Sequence, residues 1–168
     1  MTTTVASIHE AAQLLLNEAE AALQTTAAGF DGAAYLSPGQ PSFDTQCDFV
    51  AVWQSGLALA PAGGIPTNQL MRTGPRVDLV TLNVTSGRCL NVNAPMGVPA
   101  FTVQTEDAVK HMEDAQALWV GISDALADGL LDGTCRQLIL QGMTAYTPQG
   151  GVGGWNLVLV AQIDGYPV

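Results

Sequence analysis

Val77-Asp-Leu-Val-Thr-Leu-Asn-Val-Thr85 alternates in a way that decides the fold: Val80, Leu82 and Val84 share one face, Leu79, Thr81 and Asn83 the other. A period of two with one apolar face marks a strand buried on one side and wetter on the other, the antiparallel pattern. Upstream, the β-branched and aromatic run Asp48-Phe-Val-Ala-Val-Trp-Gln54 reads as the strand before it. The Pro/Gly-rich segment Pro61-Ala-Gly-Gly-Ile-Pro66 separates the two. Toward the C-terminus, Gln137-Leu-Ile-Leu-Gln141 is expected to continue to about Tyr146. Trp155 to Ile163 alternates again, with Trp155, Leu157, Leu159, Ala161 and Ile163 on one face.

Two helices complete the pattern. Ser7-Ile8-His9-Glu10 has the capping-box form. After it, Ile8, Ala12, Leu15, Ala19 and Leu23 make one apolar stripe, while Glu10 and Glu20 lie off it. Thr105 is read as the cap of a second helix, with Glu106 and Asp107 at the positive end of its dipole. Its stripe is expected to be Val109, Met112, Ala115, Trp119, Ile122, Leu126 and Leu130. The expectation is a single α+β domain over residues 1–168, in the order α-β-β-α-β-β. It comprises a helix at 7–27, a Gly/Pro-rich arm at 29–46, a strand pair at 48–88, a helix at 105–131 and a hairpin at 136–164. Both helices should cover one face of a mainly antiparallel four-stranded sheet.

The chain has 168 residues, with 5 Lys or Arg against 15 Asp or Glu, a formal charge of −10. No basic residue precedes Arg72, whereas Glu10, Glu18, Glu20, Asp31, Asp44 and Asp48 do. Duplex-binding surfaces cluster cations against phosphates, so specific or tight nucleic-acid binding is excluded. An acidic surface does suit a protein past which DNA slides without adhering. No apolar run reaches the roughly 20 residues of a membrane span, and Met1-Thr-Thr-Thr has no basic region followed by an apolar stretch. A soluble chain made in the cytoplasm is expected. Cys47, Cys89 and Cys135 form no C-x-x-C pair, and their odd count argues against a closed disulfide framework. Cys89 and Cys135 are read as buried, reduced thiols.

Catalytic constellations are not visible. His9 and His111 lie on the two helices without a second histidine at ligand spacing. Glu18 with Glu20, and Glu113 with Asp114, point apart on helices and read as solvated faces. Gly150-Gly-Val-Gly-Gly154 lacks the Lys-Ser/Thr of a phosphate loop and precedes a strand. No catalytic residue, cofactor or metal is expected, and the chain is read as a non-enzyme. The glycine segment fits either a wide hairpin loop or a contact loop lying flat on another chain. The contact reading selects Thr147, Pro148, Gly150, Gly151, Gly153, Gly154 and the amphipathic anchor Trp155.

Tyr146-Thr-Pro-Gln-Gly-Gly-Val-Gly-Gly-Trp155, followed by an alternating strand, resembles the ending of tail-terminator and head-to-tail connector proteins of actinobacterial long-tailed phages. Cys47 just before the first strand, and a second strand ending Val84 to Arg88-Cys89, are also similar. The resemblance spans roughly residues 45 to 165. It departs at Val152, where the family often has a Cys, and at Gly154, where it has an acidic residue. The resemblance implies a virion protein assembled in the host cytoplasm as a homohexameric ring. Its partners would be copies of itself, the tail-tube protein and a head-completion or neck protein. DNA would pass through the bore without specific binding, and no membrane is involved.

Overall fold

A computed structural model describes residues 4–42, 48–61, 76–90, 101–135, 137–149 and 151–164. The elements are α1 (Thr4–Gln24), β1 (Ala33–Ser37), β2 (Phe49–Pro61), β3 (Arg76–Cys89), α2 (Phe101–Ala127), β4 (Gln137–Gln149) and β5 (Val152–Asp164). The α+β class and the two helices agree with expectation. The sheet has five strands, not four, in the order β1-β2-β3-β5-β4. It is mixed, because β1 runs parallel to β2 while the remaining pairs are antiparallel.

The extra strand lies in the segment read as an irregular arm, of which residues 43–46 fall outside the described residues. Ala33 to Ser37 pairs in register with Phe49 to Trp53, and the Ala33 amide donates to the Asp48 carbonyl over 3.0 Å. That carbonyl comes so close to Gly32 that a Cβ would collide with it. Flanking glycine and proline hid a five-residue strand that tertiary pairing stabilises.

The apolar stripe of α1 is buried as expected at Ala12, Leu15, Ala19 and Leu23, with Ala11 and Leu16 beside it. The capping box does not form: nothing before Ser7 breaks a helix, and the helix already begins at Thr4, so Ser7 is internal. It ends at Gln24 rather than 27, where the hydroxyls of Thr25 and Thr26 donate to the carbonyls of Ala22 and Leu23. Gly29 follows with a φ of 63°, the left-handed conformation common just past helix ends.

Helix α2 departs further. It begins at Phe101, so Thr105 is internal. Its buried positions are Asp107, Asp114, Leu118 and Ile122, whereas Val109, Met112 and Trp119, expected in the core, are exposed. The helix is rotated because two carboxylates share its inward face, which apolar periodicity cannot detect. α1 and α2 meet at Gly121, where a Cβ would lie 2.8 Å from that of Ala22.

The main core joins both helices to one sheet face through Val50, Val52, Val80, Leu82, Val84, Leu157, Leu159, Ala161 and Ile163. The alternation of β3 and β5 is therefore as expected. On the other face, Phe49, Ala51 and Val152 form a small cluster flanked by Tyr35 and Tyr146.

Candidate functional site

The end of β3 gathers most of the polar structure. Alternation points Arg88 toward the helices. Its Nε donates to Asp114 Oδ2 over 2.6 Å, and its Nη2 to Asp114 Oδ1 over 2.8 Å. This is a two-bond fork between a planar guanidinium and a carboxylate. Nη2 also lies 3.4 Å from Thr26 Oγ1, and the guanidinium carbon sits 5.8 Å from the Phe30 ring centroid, within cation–π range. Arg88 thus ties β3 to α2 and to the segment leaving α1. Its pKa is raised, first by the hydrogen bond to Asp114. Asp114 is buried, which corrects its reading as part of a solvated acidic pair.

The following residues are fastened as well. The Cys89 amide donates to Asp48 Oδ1 over 3.1 Å, and Asp48 adopts a φ of 51°. The Leu90 amide donates to the Gly151 carbonyl over 2.7 Å. Cys89 is exposed and disulfide-bonded, which corrects its reading as a buried reduced thiol. An exposed strand end leaves its sulfur open to an oxidant and a second thiol. Cys135 is free and half-buried; Cys47 lies outside the described residues. Burial raises the Cys135 thiol, with Asp132 adding to the shift.

The glycine segment meets this same end of the sheet. Thr147 and Pro148 belong to β4, Gly151 forms the turn with a φ of 82°, and Gly153, Gly154 and Trp155 belong to β5. Gly150 lies outside the described residues. The strands extend into the segment expected as a wide loop, leaving a tight turn. Gly87 pairs with Gly154, Arg88 with Gly153 and Cys89 with Val152. Val152, Gly153 and Gly154 are buried. A Cβ on Gly154 would strike the Ser86 carbonyl and the Tyr146 hydroxyl, and that hydroxyl donates to the same carbonyl. Burial raises the Tyr146 pKa. The His111 ring lies 3.3 Å from where a Gly153 Cβ would stand, and Trp155 Nε1 donates to the His111 carbonyl over 2.8 Å. Burial lowers the His111 pKa, opposed by Asp114 and Asp107. His9 is exposed on α1.

No protein-family model and no curated protein sequence matches this chain. Its chemistry is therefore read from its own residues. Among the described residues, no group of His, Cys, Asp and Glu is arranged to hold a metal ion, and no helix is long and apolar enough to cross a membrane.

Sequence reading also missed a polar row on the sheet face away from the helices. Trp53 Nε1 donates to Thr85 Oγ1 at 2.9 Å, and Thr85 Oγ1 to Asn156 Oδ1 at 2.8 Å. Asn156 Nδ2 then donates to Asn83 Oδ1 at 3.1 Å, and Asn83 Nδ2 to Ser55 Oγ at 2.7 Å. This directional chain crosses β2, β3 and β5. The available signal was Asn83 and Thr85 on the wetter side of an alternating strand.

Proposed function

We propose that this chain is a virion structural protein, a tail-terminator subunit of a long-tailed phage. As a homohexameric ring it caps the tail tube and joins it to the head-completion proteins, and DNA passes through the bore. The observation that carries the reading is the pairing of β3 with β5. The two stretches on which the phage resemblance rests, Val84 to Cys89 and Tyr146 to Trp155, are far apart in sequence. Their ends face one another across neighbouring strands, Ser86 with Trp155 through Cys89 with Val152. That the two stretches meet at one end of the sheet supports reading them together.

Two further points support a binding role. Arg88 and Asp114 are engaged with each other, and Trp155 with α2, so these groups fasten elements together. The charge of −10 repels a polyanion and suits a bore through which DNA moves without adhering. Gly151, at the turn between the last two strands, remains a contact position in this reading.

Negative-stain imaging and native mass measurement of the purified protein, alone and with tail tubes, test the proposal. Six-fold rings seated at tube ends are expected. Rings of another order would favour a neighbouring neck or adaptor subunit. A monomer that never binds tubes would overturn the assignment and favour a small ligand-binding domain.

A further inference from the structure

Strand β4 stands at one edge of the sheet, and among the described residues no strand lies on its outer side. Natural edges are commonly blunted by charge, proline or brevity. The other edge, β1, is only five residues long. Over Gln137–Gln149, β4 carries no charged residue, and its proline, Pro148, is at the far end. Its first part, Gln137-Leu138-Ile139-Leu140-Gln141, reads the same in both directions. That run is regular up to a bulge between Leu140 and Gly142. Leu138 and Leu140 are half-buried against the core. Gln137 and Gln141 are exposed, and Ile139 is 51% exposed on the face away from the helices.

We propose that this edge pairs with itself, so that two copies of the free protein join through antiparallel β4 strands about a twofold axis at Ile139. An open edge presents a row of backbone N–H and C=O groups whose protein partner is another extended strand. The palindrome selects which strand. An antiparallel register centred on Ile139 sets Ile139 beside its own mate, Leu138 beside Leu140 and Gln137 beside Gln141. Every position then meets its own residue type: isoleucines on the outer face, leucines on the core side, and at the ends amides that both donate and accept. The axis stands normal to the sheet, so the inner faces of both copies lie on one side and the leucines extend the core side across the join. No charge on the strand opposes the approach, although the whole chain carries −10. Cross-strand pairs of this kind contribute roughly 0.2–1 kcal/mol each, and a contact this short is smaller than a standard interface. The pair is therefore weak, with a dissociation constant on the order of 100 µM. The contact is isologous, separate from the head-to-tail contacts of a ring, and it stands whether or not the ring forms.

Sedimentation of the full chain between about 5 and 500 µM reads the association, because a pair of that strength dissociates across the range. A concentration-dependent doubling of mass is expected. Ile139→Cys places a thiol on the axis and should yield a covalent dimer under oxidised glutathione, whereas Gln13→Cys, exposed on α1, should yield little. Ile139→Lys and Ile139→Glu each change one exposed side chain on an edge strand, so both should keep the far-ultraviolet circular dichroism. Each alone sets like charges opposite one another and should raise the half-dimer concentration about tenfold. Mixed in equal amounts, the two variants should associate more tightly than either alone, because opposite charges then face each other across the axis. A monomer throughout the range overturns the proposal. So does an Ile139→Cys chain that cross-links no better than Gln13→Cys, or a mixture that associates no better than its components. Ring formation on tail tubes is read separately, so failure of the pair and failure of the ring are distinguishable.

Discussion

Arg88 and Asp114 lock strand β3 to helix α2 through two short parallel hydrogen bonds, with the carboxylate side chain 2% exposed and the guanidinium side chain 10% exposed. Removing one member strands the other charge in a site of low polarity. Arg88→Ala or Asp114→Ala should each cost about 3 kcal/mol in urea unfolding. Replacing both by apolar residues of similar volume, Arg88→Met with Asp114→Leu, should cost clearly less than the sum. Additive losses would show that the pair is not the unit that holds α2 in place.

Gly154 is required by what lies over it. A Cβ there meets the Ser86 carbonyl and the Tyr146 hydroxyl, so neither backbone nor ring can yield cheaply. Gly154→Ala should destabilise by about 2 kcal/mol. Gly39, with open space around it, should accept alanine with a change within about 0.5 kcal/mol. Equal effects at the two positions would remove the close approach as the reason for the glycine.

These two contacts also show where sequence reading stops. The stripe of α1 and the alternation of β3 and β5 were legible because each repeats one chemical type at the period of its element. The rotation of α2 was not, because Asp107 and Asp114 take inward positions that periodicity assigns to apolar residues. β1 was invisible because Ala33 to Ser37 is too short to show a pattern and is stabilised by parallel pairing with β2. The glycine segment was legible as unusual, but its need for glycine arises from Tyr146 and His111, which approach it only in three dimensions. Arg88 carried a faint signal, because the alternation that turns Val80, Leu82 and Val84 inward also turns this cation inward.

His111 makes stability depend on pH. Burial holds its folded pKa below the ordinary value of 6.5, against the raising influence of Asp114, Asp107 and Asp48, with Arg88 lowering it further. As the pH falls through 6.5, the unfolded chain binds a proton that the folded chain resists, so stability falls until the folded pKa is passed. The contribution is complete above about pH 7. His111→Gln should flatten the unfolding free energy between about pH 7 and pH 5 relative to the parent. A parent curve already flat there, or one that rises on acidification and loses the rise in the variant, would contradict the sign.

The disulfide at Cys89 and the free Cys135 give distinct readings in one experiment. Cys135 is half-buried, directs its sulfur toward the Leu131 carbonyl, and has its thiol raised by burial, so its reactive thiolate is scarce. An alkylating reagent at neutral pH should label the native, unreduced protein slowly. After unfolding without reductant it should label one cysteine, and after reduction three. Reduction should also lower the melting temperature by about 5–10 °C, the scale expected for losing a cross-link worth about 2–4 kcal/mol. The loss should be largest at the β3 end, where Cys89 and Leu90 are tied to Asp48 and Gly151. Three labelled cysteines before reduction would mean that the bond does not form in solution. Melting that ignores reductant would mean that the hydrogen bonds of that end hold it without the cross-link.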